Sequence, residues 1–191
     1  YNKNDLNKNV ELDNFYFFKK IFTNEEIDNI LEITNNYTFQ YGKTGNVINK
    51  NYRTSKIKWI PNTINTKWIY DKIAKLIKIA NIKCWKFDIV GFGEDLQFSE
   101  YSCHDNSHYD WHLDIGKYTA YRKLSISIQL SSSDEYENCD LEFMIGKNII
   151  KAPRDKGTVI IFPSYFLHRI TKITKGKRLS LVIWISGPPF K

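Results

Sequence analysis

The hydrophobic period of this chain changes once, after Asn81, and that change limits the folds open to it. Before it, apolar residues fall at helical spacing. Trp68, Ile69, Ile73, Leu76, Ile77 and Ala80 mark a helix over about 67–81. Thr23-Asn24-Glu25-Glu26 reads as a capping box opening an earlier helix that buries Ile27, Ile30, Leu31 and Ile33. After Asn81 the period is two. Strands are expected over 87–90, 96–101, 109–114, 124–130, 141–145, 158–162, 167–171 and 179–185, with turn-rich segments at 131–140 and 153–157. Many short strands behind a helical layer predict a mainly β protein, a sandwich or jelly roll with helices packed on one sheet. No repeat, low-complexity tract or Pro/Gly-rich linker interrupts the 191 residues. A single domain is expected, helical over about 12–81 and β over about 87–186.

Composition narrows the function classes. No apolar run approaches the roughly 20 residues of a membrane helix. Residues 1–9 are polar, with no apolar signal core, so a cytoplasmic protein without a membrane partner is expected. The three cysteines, Cys84, Cys103 and Cys139, are odd in number and scattered, which argues against a disulfide framework. The formal charge of +7 comes from lysines spread along the chain. No dense basic block of the nucleic-acid-binding kind appears.

Chemistry concentrates at His112-Leu113-Asp114, at His168 and at Arg178. On a strand, side chains two apart share a face, so His112 and Asp114 can chelate one ion together. With His168 they make two imidazoles and one carboxylate. That set suits a non-haem Fe(II) ion with positions left open for a co-substrate and O2. One His-x-Asp is a weak signal, and an ordinary buried imidazole is the commoner fate of any single histidine. His104, His108 and His112 are also spaced by four, as zinc ligands on a helical face would be, but Asp105-Asn106-Ser107 favours a turn. On the last strand Arg178, Ser180 and Trp184 share parity, opposed by Leu179, Leu181, Ile183 and Ile185. Such an arginine can grip a distal carboxylate, with the serine adding a hydrogen bond. Ser125, Ser127 and Gln129 form a similar polar stripe, which either lines a pocket or faces water.

Taken in order, these residues resemble the prolyl 4-hydroxylase-like branch of the Fe(II)/2-oxoglutarate dioxygenases, in particular its bacterial and phage-type hydroxylases. The likeness runs from about Leu12 to Phe190. It includes Arg53-Thr54-Ser55, Trp59-Ile60, Gln97 and Tyr101 ahead of the His-x-Asp. It continues through Arg122-Lys123-Leu124-Ser125 and Phe162-Pro163-Ser164 to Gly176-Lys177-Arg178-Leu179-Ser180 and Trp184.

The resemblance implies a double-stranded β-helix, a cupin-like jelly roll, with iron held by His112, Asp114 and His168. It implies 2-oxoglutarate bound by Arg178, Tyr101 and Ser180, with Ser127, Gln129 and Trp184 lining the pocket. O2 would be the oxidant and ascorbate a further cofactor. No catalytic residue beyond the metal ligands is expected. The implied reaction is hydroxylation of an unactivated C–H bond, with a peptidyl proline as first choice and succinate and CO2 as co-products. Another peptidyl side chain, a small molecule, or a non-catalytic metal- or partner-binding β-helix stays open, as does the oligomeric state. Trp111, Trp184 and Tyr165 are expected as pocket walls. Two departures stand near the expected substrate entrance. The 102–108 segment is long and lacks glycine, and Asn138-Cys139 replaces a Gly-Gly turn. Cysteine adopts the left-handed conformation poorly, so a different turn is expected there.

Overall fold

The computed structural model describes residues 14–43 and 48–190. The capping box forms as expected. Thr23 Oγ1 accepts from the Glu26 N–H (3.2 Å), and the Glu26 carboxylate accepts from the Thr23 N–H (2.8 Å). These bonds open α1 (Asn24–Thr34), which buries Ile27 and Ile30. Helix α2 (Lys67–Cys84) runs beyond the expected end at Asn81. Asn81 does not stop it; its side chain donates to Phe87 O and accepts from Phe87 N–H, both at 2.9 Å. That clamp occupies the backbone of Phe87, and no strand forms over 87–90.

The strands are β1 (Tyr16–Phe18), β2 (Gln40–Tyr41), β3 (Arg53–Thr54), β4 (Lys56–Ile60), β5 (Gly91–Phe92), β6 (Leu96–Ser102), β7 (His108–His112), β8 (Arg122–Gln129), β9 (Tyr136–Asn138), β10 (Leu141–Ile145), β11 (Asn148–Lys151), β12 (Val159–Pro163), β13 (His168–Ile170) and β14 (Ile173–Ser186). They form two sheets. The larger runs β1-β12-β8-β14-β6-β4-β2, with β5 and β9 also on β14, and the smaller runs β11-β10-β13-β7-β3. This is a mainly β architecture of two sheets that does not close into a barrel.

Alternation on the central strands decides what each layer contains. Leu124, Ile126 and Ile128 on β8 and Leu181, Ile183 and Ile185 on β14 join one core with Ile27, Ile30, Ile69, Ile73, Ile77 and Ala80 of the helices. Fully burying each such side chain contributes about 1.5–3 kcal/mol. A second core, including Tyr101, Leu141, Phe143, Ile160, Phe162 and Ile170, lies between the sheets. The polar stripe Ser125, Ser127 and Gln129 therefore points inward, at 0%, 6% and 2% exposure, and does not face water.

Gly157 ties the entry to α1 onto the large sheet. Its φ is +80°, and a Cβ there would stand 2.2 Å from Phe22 O. Gly157→Ala is expected to destabilise the protein by about 2 kcal/mol or more, from left-handed strain plus the clash. The check is a lower urea midpoint at unchanged m-value; an unchanged midpoint would show that the Phe22 segment yields freely.

Candidate metal centre

Strand pairing brings the two histidines together. β13 pairs antiparallel with β7, placing His168 opposite His112. Asp114 arrives differently from the expected shared strand face. β7 ends at His112, and Asp114 lies in the bend beyond it. Its N–H donates to Ser164 O (3.0 Å), and its carbonyl accepts from Thr119 Oγ1 (3.0 Å) and Arg122 Nη1 (3.1 Å). The bend is thus tied both to the segment leading into β13 and to β8.

His112, Asp114 and His168 are buried, and one donor atom from each lies within 4.8 Å of the others. His112 Nδ1 stands 2.7 Å from Asp110 O and His168 Nδ1 stands 2.8 Å from Phe166 O. A carbonyl only accepts, so each Nδ1 carries a proton, and each ring turns Nε2 toward Asp114. His112 Nε2 lies 3.9 Å from Asp114 Oδ1 and His168 Nε2 lies 3.5 Å from Asp114 Oδ2. Burial, with His168 beside it, pushes the His112 pKa well below its ordinary value. Burial opposes ionisation of Asp114, yet the imidazoles, the Ser125 hydroxyl and Arg122 outweigh it and hold the carboxyl below its usual range. Two imidazole nitrogens and a carboxylate converging within 4.8 Å fit a divalent cation, and the nitrogen and oxygen donors fit Fe(II).

The surroundings orient this set. Ser125 Oγ donates to Asp114 Oδ2 at 2.6 Å, so Ser164 Oγ, 2.9 Å away, donates to Ser125. Tyr109 stacks on His112 with ring centroids 3.5 Å apart, and the Arg53 guanidinium lies 4.5 Å from the Tyr109 ring centre. Arg122 pairs with both Glu94 oxygens at 2.6 Å and covers Trp184 at 3.8 Å. The sequence reading placed Ser125 in a polar stripe and Arg122 within the resemblance without giving either this contact, and gave no role to Glu94. A serine on an alternating strand and an ion pair spanning 28 residues carry no local signal.

The three residues line a cavity of about 690 Å³ that also reaches Arg178, Tyr101, Ser180, Ser127 and Trp184. Arg178 is 1% exposed, and no carboxylate pairs with it among the described residues. Gln129 Oε1 accepts from its Nε (3.2 Å) and Nη2 (2.9 Å), while Nη1 has no hydrogen-bond partner. Gln129 therefore braces the guanidinium from behind and is not on the cavity wall. Trp111, under Arg169, and Tyr165, packed on Phe87 and Phe190, also lie off that wall. In the 102–108 segment, Cys103–Asp105 form one 3-10 turn, so His104, His108 and His112 share no helix.

The Asn138-Cys139 turn corrects the expectation made for it. Both residues take positive φ, 58° and 57°. Cys139 is fully buried beside Arg178, and Asn138 Nδ2 donates to Thr174 Oγ1 at 2.9 Å. Burial and this bond hold a left-handed cysteine where glycine would sit without strain.

Ser125→Ala is expected to weaken metal binding about tenfold by freeing the Asp114 carboxylate. Co(II) titration followed by absorbance reads this; an unchanged affinity would make the hydroxyl bond incidental. Burial pushes the Cys139 thiol up to about 11. Iodoacetamide at about pH 8 should therefore alkylate half-buried Cys103 well ahead of Cys139. Equal rates by peptide mapping would mean that the turn opens.

Comparison with known proteins agrees with this geometry. Residues 96–186 match the 2OG-Fe(II) oxygenase superfamily. A PKHD-type hydroxylase of Prochlorococcus marinus is 28% identical over 176 residues, covering 90% of this chain and 78% of the relative. Another, from Alteromonas mediterranea, is 33% identical over 64 residues, 34% of this chain and only 28% of the relative's length. Among solved structures, a Trichoplax adhaerens prolyl hydroxylase in complex with a hypoxia inducible factor oxygen degradation domain peptide fragment superposes with a TM-score of 0.77 at 18% identity. That match covers 96% of this chain and 86% of the other. The superfamily implies Fe(II), 2-oxoglutarate and O2. The match over residues 96–186, with relatives and fold of one kind, makes this chain similar to the prolyl 4-hydroxylase-like 2OG-Fe(II) oxygenases.

Proposed function

We propose that the protein is a 2-oxoglutarate-dependent dioxygenase that hydroxylates an unactivated C–H bond in a peptide, a prolyl residue first among them, with succinate and CO2 as co-products. One observation carries the reading. A single cavity holds the converging donors His112, Asp114 and His168 together with a buried guanidinium that lacks an anionic partner among the described residues. An uncompensated buried cation is costly, and a ligand carboxylate relieves that cost. The proline assignment draws on the PKHD-type relatives and on the peptide bound to the Trichoplax structure.

His112, Asp114 and His168 would hold the iron, which when bound supplies the oxidation of an inert C–H bond at the expense of 2-oxoglutarate and O2. Arg178 offers Nη1 to the distal carboxylate of 2-oxoglutarate, with Gln129 fixing the plane of the fork. Ser180, two residues on and of the same parity, adds a hydroxyl, and Tyr101 stands with its ring 5.7 Å from the guanidinium carbon. Ile57, Val182, Leu141 and Phe162 furnish apolar wall that keeps water from the reacting centre. Glu94 is occupied by Arg122, so no lining carboxylate besides Asp114 is free among the described residues. Proton transfer by a protein acid is not required.

The test incubates the protein with Fe(II), ascorbate, O2 and 2-oxoglutarate and measures succinate, with mass spectrometry of proline-containing peptides for the gain of one oxygen atom. His112→Ala and Asp114→Ala should abolish succinate release while the circular dichroism spectrum is kept; full activity in either would remove the iron assignment. Arg178→Ala should raise the half-saturating 2-oxoglutarate concentration about a hundredfold, the loss of a buried charge-assisted pair. An unchanged requirement would place the carboxylate elsewhere.

A further inference from the structure

The cavity is more cationic than its proposed co-substrate requires. Among the described residues its charged lining is Lys43, Arg53, Lys117, Arg122 and Arg178 against Glu94 and Asp114. Asp114 lies with the imidazoles, Glu94 answers Arg122, and Arg178 faces the distal carboxylate of the proposed co-substrate. Lys43, Arg53 and Lys117 remain. Arg53 is 7% exposed and donates to two neutral acceptors, Ser55 Oγ at 2.8 Å and Lys43 O at 3.2 Å. None of these three cations has an ion-pair partner among the described residues. Lys50, over the Tyr41 ring at the cavity mouth, adds an unpaired charge of the same sign. Asp110 is exposed beside Tyr52 and does not line the cavity.

We propose that the substrate is an acidic peptide segment, with glutamate or aspartate side chains close to the hydroxylated residue that meet Arg53, Lys43 and Lys117. The proposal rests on the hydroxylase reading above and supplies its substrate class. A carboxylate matches the planar fork of Arg53, and the exposed lysines attract it over longer range. A nucleic acid would bring the same sign of charge but needs free aromatic faces inside the site to take an extruded base. Beside the metal ligands those faces are covered, and the exposed rings of Tyr41 and Tyr118 carry Lys50 and Lys117. Tyr109 is stacked on His112 and contacted by Arg53, while Trp184 lies under Arg122 and against Trp59 at 6.4 Å.

Equilibrium binding tests this without turnover. Fluorescein-labelled peptides of one length, each with a central proline flanked by glutamates, serines or lysines, are titrated with the protein and followed by anisotropy. The glutamate peptide should bind at least about tenfold tighter than the serine peptide, with the gap shrinking as salt rises. The lysine peptide should bind weakest. The variant Lys43→Glu, Lys117→Glu should reverse the order while its circular dichroism spectrum is kept. Equal binding of the three peptides, or a single-stranded oligonucleotide outcompeting the glutamate peptide, overturns the proposal. Selective binding without succinate formation would instead sink the hydroxylase reading and keep the acidic preference.

Discussion

The antiparallel pairing of β8 with β14 sets the direction of the side chains at the centre of the molecule. Ser180 stands opposite Gln129, Val182 opposite Ser127 and Trp184 opposite Ser125, so the positions of the inner face meet one another. Their neighbours Ile126, Ile128, Leu181 and Ile183 then all face the helices. A slip of one residue would carry the isoleucines into the cavity and put Arg178 against α2, exchanging every contact at once. Helix burial therefore holds the register, and the register places the guanidinium, the serines and the cavity wall.

Long periodic segments were legible because many residues repeat one signal. Both helices and the strands carrying His112, His168 and Arg178 were read from that alternation, and the capping box located the start of α1 to the residue. Short strands were not. β1, β2, β3, β9 and β11 contribute so few residues that a period of two cannot be told from chance, and they form because a neighbour is already in place. The 131–140 stretch looked like turn, yet Tyr136 pairs with Gly176 and packs into the inter-sheet core. The apparent strand at 87–90 failed for the converse reason, a side-chain amide taking the backbone bonds of Phe87.

The site divides in the same way. Candidate ligands are a matter of residue type and order, so they could be proposed in advance, and the fold brings them together. How they are held depends on contacts across the fold: the Ser164 to Ser125 to Asp114 chain of hydroxyls, the clamp of Arg122 on the Asp114 carbonyl, and the Arg53–Tyr109–His112 stack. The left-handed Cys139 belongs here too. Propensity argues against it, and burial beside Arg178 together with the Asn138–Thr174 bond offsets the strain.

Both histidines are locked in one tautomer by main-chain carbonyls, and the aspartate is fixed by a serine and a bend. These bonds orient the three donors toward one point. A donor set of this type discriminates little among transition metals by chemistry alone, since Co(II), Ni(II) and Zn(II) accept the same nitrogens and oxygen and rank above Fe(II) in intrinsic preference. The choice of iron is consequently left to which ion is available where the protein folds, and inhibition by competing transition metals is a built-in property of so finished a site.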